Sequence, residues 1–351
     1  MRASDRREFN LQPQDTFFEW LILHIVRLPG WLNASLLLVF SVLPFVLAYQ
    51  TGRQDWQEAQ RYWRPFLLPA VITGYIIAAM PWVWRAEQQV IDELRPLASL
   101  DTASYQALVE RAGRRTSWAA WGAFALGVVG GINLLGAQSE VVNGLLRLSP
   151  MWIYLWLAYL FTFGITLWSI YNAMQSARLT ATVQRHIVDV DLFNLTPFET
   201  VGRQGLVGSL ILIGGTTLSI ILNYEREYLH QFLHWQNLAL YLVLSAATVS
   251  VFFLIIWPTH RTLARVKAQK LLLVQQAGGR LFRQWEELST HGAETQTLSD
   301  EIQALLALEQ RLKLVPTWPY TVEMLRTLLL SALTPLLVAA SRIVTARLTG
   351  G

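Results

Sequence analysis

The chain has 351 residues, 53% of them hydrophobic and only 15% charged, with 15 Trp, no Cys and a net charge of +4. Soluble domains carry about a quarter charged residues, so this composition excludes a single water-soluble core, a disordered chain and a disulfide scaffold. The absence of Cys also excludes Cys-ligated metal sites and thiol nucleophiles. Mean hydropathy is +0.34 and the pI is near 9.4. The basic residues are not gathered into a stripe, so the charge reads as membrane topology and nucleic acid is not expected as a partner.

Residues 17–28 are apolar but interrupted by Glu19 and His24, and Pro29-Gly30 ends the run. Thr16 and Glu19 form a capping box. The segment is too short to span and reads as an amphipathic helix lying on the inner leaflet, within an N-terminal region of 1–30. Six uncharged runs follow, at 31–49, 66–84, 117–137, 151–174, 204–223 and 237–258. Each approaches or exceeds the ~20 residues that cross ~30 Å of hydrocarbon as helix. Trp and Tyr sit at many of their ends, as headgroup anchors do. The segments on the N-terminal side of the membrane hold 20 Lys and Arg, against 5 on the other side. That asymmetry places the N-terminus in the cytoplasm.

The expected fold is therefore all-α, a polytopic helical bundle over 31–258 with cytoplasmic helical loops at 85–116 and 175–203. In the first loop, Val90, Ile91 and Leu94 share a helix side, Pro96 breaks it, and Asp101 or Thr102 caps the next helix. Residues 259–314 read as a cytoplasmic helical hairpin with a nine-residue turn. One arm carries Leu263, Val266, Lys270, Leu273, Leu281, Trp285 and Leu288, the other Leu298, Ile302, Leu305, Leu308 and Leu312. Such narrow stripes pack on each other, on neighbouring helices, on a second subunit or on a cytoplasmic protein partner. In the terminal region 315–351, the apolar run 327–340 contains Pro335 and is bounded by Arg326 and Arg342. It is a short seventh span, a re-entrant segment or an in-plane helix.

No intramembrane charge falls in the six runs, which argues against ion-coupled transport and leaves room for a pore. Ala123, Gly127 and Gly131 recur at intervals of four, and Gly208, Gly214 and Gly215 share the fifth span with Thr216, Thr217 and Ser219. Small residues let helices approach closely. The hydroxyls could also line a polar cavity or pore, together with Arg326, Thr334 and Arg342 on the terminal helix. Glu227, His230 and His234 fall on one helical face of an outer loop and are a weak zinc pattern without a fourth ligand. Asp189 and Asp191 could hold a cation, but no nucleotide-binding pattern surrounds them, and a helix cap before Pro197 is the simpler reading. No hydrolase motif and no cofactor motif occurs, so no cofactor is expected.

Three stretches carry a resemblance. They are Val190-Asp191-Leu192-Phe193-Asn194-Leu195-Thr196-Pro197, then Pro258-Thr259-His260-Arg261 running on to Lys267 and Lys270, and Val315-Pro316-Thr317-Trp318-Pro319-Tyr320. In these the latter half of the chain resembles a family of uncharacterised multi-pass bacterial membrane proteins. The resemblance implies a bacterial inner-membrane location and transfers no activity. Pro258, His260, Trp318 and Pro319 are expected to form a junction at the inner membrane face, with Pro258 bending or restarting the sixth helix. The topology is also similar to that of insect odorant-receptor channels, without a shared motif. There a terminal helix lines the pore of a tetramer. The functional expectation is a homo-oligomeric channel or passive pore in the lipid bilayer, the alternatives being a scaffold or sensor acting through 259–314 and a lipid-linked enzyme.

Overall fold

The computed structural model describes residues 17–98, 100–114, 116–136, 143, 145–187, 191–223, 235–290 and 296–348. Among these residues the chain is helical and has no strand, and a single bridge pairs Ala98 with Ile187. The helices in order are α1 (Phe17–Arg27), α2 (Gly30–Thr51), α3 (Arg53–Arg61), α4 (Trp63–Leu94), α5 (Thr102–Gly113) and α6 (Ser117–Gly136). They continue as α7 (Pro150–Gln184), α8 (Thr196–Asn223), α9 (Trp235–Thr290), α10 (Gln296–Leu314) and α11 (Val322–Leu348). Among the described residues six helices, α2, α4, α6, α7, α8 and α9, are long and apolar enough to cross a membrane. This is a multi-pass membrane protein.

The centre of the bundle is α4, α7 and α8. On this centre α6 packs against α7, α9 and α11 against α8, and α2 against α4 and α7. In hydrocarbon no hydrophobic force drives helices together, so close backbone approach and hydrogen bonds must do it. A side chain at Gly127 would strike the Phe163 carbonyl, and one at Gly131 would meet the Phe163 ring at 2.8 Å. The spaced glycines of α6 therefore admit α7, and those of α8 admit α4. Tyr75 of α4 donates to the Ile211 carbonyl at 2.9 Å, and a Cβ on Gly214 would strike that hydroxyl.

Proline explains two further contacts. A proline inside a helix cannot donate to the carbonyl four residues back. Pro44 thus frees the Phe40 carbonyl and Pro69 frees that of Pro65. Each finds a tyrosine on α7: Tyr154 donates to Phe40 and Tyr159 to Pro65, both at 2.7 Å. At the far end, Ser149 donates to Asp55 at 2.7 Å and Trp152 to Glu58 at 3.1 Å, tying α3 to the start of α7. The stretch between the first two spans thus carries the helix α3.

Several helices outrun the apolar segments that announce them. α4 continues to Leu94 with Val90, Ile91 and Leu94 buried, and a 3-10 turn at Arg95–Leu97 ends it beside Pro96. Asp101 then caps α5, accepting from the Ser104 amide at 3.4 Å. α7 runs ten residues past its apolar run. α9 passes through Pro258 unbroken for 56 residues, so Pro258 does not restart the helix. Its neighbours Ile256, Thr259 and Leu263 are fully buried on both sides of the proline and hold the helix axis across it. α1 is also more than an interfacial helix. Its Ile22 and Glu19 are buried on the side that packs against α4, while Phe17 stacks on Trp121 at 5.7 Å.

The hairpin forms between α9 and α10. Its α9 register is the expected one at Leu263, Val266, Leu281 and Trp285 and departs after Lys270, where Leu271 and Val274 pack inward and Leu273 is 62% exposed. The expected α10 stripe holds at Leu312, whereas Leu308 is exposed. α11 is one continuous helix through Pro335, and it stands beside α8 with Leu328 buried against Ile213, Phe252 and Ile256.

Candidate functional site

α7 carries hydroxyl and amide side chains at 162, 166, 169, 172, 176, 180 and 184, intervals of three and four that stack on one helical face. This face looks into the seam between α4 and α8. Thr162 meets Thr73 of α4 at 3.2 Å and also donates to the Ala158 carbonyl at 2.8 Å. Thr166 donates to the Thr162 carbonyl and Ser169 to the Thr166 carbonyl, both at 2.7 Å. From α8, Thr216 donates to the Leu212 carbonyl at 2.8 Å. Back-bonding of this kind uses the hydroxyl proton within the helix and leaves oxygen lone pairs on the seam.

A cavity of about 170 Å³ lies here, with Tyr75, Thr162, Thr166, Ser169, Asn172, Thr216 and Ser219 among its lining residues. At a liquid share of ~30 Å³ per molecule this is room for about five waters. Asn172, 2% exposed, has a side-chain carbonyl with no hydrogen-bond partner. Beyond Asn172 the seam becomes a fixed network. Thr180 donates to the Gln204 carbonyl oxygen at 3.1 Å, Gln204 donates to Ser176 at 2.8 Å, and Ser176 is hydrogen-bonded to the Glu87 carboxyl. Glu87 is 4% exposed. The hydrogen bond from Ser176 offsets part of the cost of burying the Glu87 carboxyl. The last member, Gln184, donates to Thr259 of α9 and closes the end of the seam.

Of the residues singled out in the sequence, Thr216 and Ser219 are on the cavity wall. Thr217 is not; it donates to the Ile213 carbonyl at 2.8 Å on another face. Arg326 and Thr334 are exposed on α11 and do not reach the cavity. Arg342 belongs to α11, and its side chain lies outside the described residues. Glu227, His230 and His234 also lie outside them, as does Asp189. Among the described residues no group of three His, Asp or Glu could hold a metal ion. Asp191 accepts from the Phe193 amide at 2.9 Å, the geometry of a turn before α8.

The junction residues are brought together. The His260 ring stacks on Trp318 at 3.8 Å and 11°, and its Nδ1 donates to the Thr317 carbonyl at 3.2 Å. Trp257 packs at 6.3 Å from Trp318, with Arg261 over its own ring at 5.3 Å. Lys267 donates to the carbonyls of Lys313 and Val315, both at 2.8 Å, capping the end of α10. The Pro319 carbonyl lies so close to α8 that only a glycine fits at 202.

The sequence reading missed Glu87, Asn172, Ser176, Thr180, Gln184 and Gln204. For the four on α7 the signal was the period of its polar positions; Glu87 of α4 and Gln204 of α8 had none of their own. No family profile matches the chain, and no match is found among curated proteins or solved structures.

Proposed function

We propose that the protein is a passive pore for small cations and hydrogen-bond-donating solutes, with the path running along the polar face of α7 inside each chain. The observation that carries this reading is the chemistry of the cavity. Its hydroxyl protons are spent on backbone carbonyls, the Asn172 carbonyl is open, and Glu87 stands beyond it. The wall is mostly apolar, and the acceptors set in it suit a solute that donates or carries positive charge. The location belonging to this reading is a bacterial inner membrane, with the N-terminus in the cytoplasm on the Lys and Arg asymmetry. Copies would associate through the apolar side of α11, where Leu329, Leu330, Leu333 and Leu337 are exposed.

Single cysteines introduced into the Cys-free chain test the path. In proteoliposomes a cationic methanethiosulfonate is expected to modify Thr166→Cys and Ser169→Cys and to block ammonium or potassium flux. The same reagent on Thr334→Cys is expected to leave the flux unchanged. Block at Thr334→Cys without block at Thr166→Cys would move the path to an oligomer axis lined by α11. Flux no greater than in protein-free vesicles would remove the pore altogether.

A second reading has its own observation. Leu272, Phe282 and Leu306 are more than half exposed on the hairpin, which supports a scaffold or sensor that binds a partner there. That reading expects capture of a partner by 259–314 and no flux.

A further inference from the structure

A second and larger cavity lies on another side of α4 and meets the polar seam only at Thr73. It is a cleft of about 750 Å³ between α1, α2, α4 and α7, within the ~300–1,000 Å³ of ordinary ligand pockets. Ile22 of α1, Leu37 and Phe40 of α2, Gly74 and Ala78 of α4 and Leu157 of α7 line it. A side chain at Gly74 would meet Leu37 at 2.7 Å, so the glycine seats α2 here. The cleft follows α4 from Thr73 to Pro81, a rise of about 12 Å. That is close to one leaflet of a ~30 Å hydrocarbon core.

Its polar groups are few, and two are already satisfied. Thr73 is bonded to Thr162, and the Tyr154 hydroxyl donates to Phe40. The third, Asn33, stands on the first turn of α2, beside Trp31, which is 68% exposed. Its amide donates to the Leu28 carbonyl at 3.4 Å, while its Oδ1 is buried without a partner. The cleft therefore offers a leaflet-deep apolar slot with one unmet acceptor at the level where a helix enters the membrane. We propose that it is a phospholipid site: one acyl chain fills the slot from the leaflet on the α1 side, and an ethanolamine ammonium donates to Asn33 Oδ1. Choline, which has no N–H, cannot make that bond. A ligand-free slot would leave its walls without dispersion partners, and the hydrocarbon of the bilayer is the solvent that borders it.

The site does not depend on the pore, and its test reads no flux. The protein is reconstituted in phosphatidylcholine vesicles containing a trace of phosphatidylethanolamine or phosphatidylcholine with a photoactivatable group in the acyl chain. Crosslinks are then mapped by peptide mass. Label is expected on residues 33–40 and 73–81, about fivefold stronger for the ethanolamine lipid, the factor of one net hydrogen bond near 1 kcal/mol. Ala78→Phe and Leu157→Trp start from exposed positions, so either can fill the slot and remove the label. Val129→Phe on the exposed side of α6 should leave it intact. Asn33→Leu should keep the chain label and abolish the headgroup preference. Label spread evenly over the lipid-facing helices, equal label from both headgroups, label undiminished in both filling variants, or crosslinks between two copies at these segments would each overturn the proposal.

Discussion

The Tyr159 hydroxyl meets a backbone carbonyl that Pro69 has left without its helical donor. An unmet buried acceptor costs about 1–3 kcal/mol. Tyr159→Phe should lower stability by that amount, read from the unfolding midpoint in mixed micelles. Pro69→Ala restores an N–H four residues beyond Pro65, so the tyrosine loses its task. In the Pro69→Ala background the same Tyr159→Phe change should cost less than half as much. An equal cost in both backgrounds would assign the tyrosine to packing alone. The logic extends to Tyr154 and Pro44, where the Phe40 carbonyl is the one released. Both pairs are local consequences of a missing donor, and neither is visible without knowing which helices adjoin.

At the scale of elements, the α9–α10 hairpin shows how far periodicity reaches. A 3-4 spacing identified both arms and the turn, because apolar residues on one face are what two helices bury. The register of α9 was misread just after Lys270, where four consecutive residues, Leu271 to Val274, are apolar and any two could serve. What fixes it is polar. Gln275 donates to Glu309 at 2.9 Å, Lys313 pairs with the same carboxylate at 2.9 Å, and Lys267 caps the end of α10. These hydrogen bonds hold the Glu309 carboxyl below the usual glutamate range. A depressed carboxylate stabilises the folded form fully above its unfolded pKa of ~4.3, and the contribution fades as pH falls through the lower folded value. The arms should therefore loosen on acidification below about pH 4, read as a broadened spin-label distance between positions 276 and 306. Glu309→Gln should flatten that pH response. A pH response unchanged in Glu309→Gln would place the sensitive group elsewhere.

For the whole molecule, the bundle was legible and the seam was not, for one physical reason. Membrane insertion averages over about 20 residues, so runs without charge mark the spans regardless of which face each side chain takes. The polar face of α7 is diluted by two or three other residues, mostly apolar, between each polar one, and the end of the apolar run after Met174 cuts it in two. Glu87 escaped for the same reason, lying one turn past the run that ends at Trp84. Helices that continue unbroken past the hydrocarbon join these halves into one line from Thr162 to Gln184. If that line conducts, Glu87 and Gln184 have opposite roles. Where ionised, Glu87 supplies negative charge that favours cations, and Glu87→Gln keeps the hydrogen bond to Ser176 while removing that charge, so cation-over-anion permeability should fall at high pH with little change in total flux. Gln184 closes the line against Thr259, and Gln184→Ala should raise flux while leaving that ratio alone. Reversal potentials and vesicle efflux separate the two effects. If both variants change only stability, the polar face holds the helices together and conducts nothing, because hydrogen bonds between buried side chains serve helix association equally well.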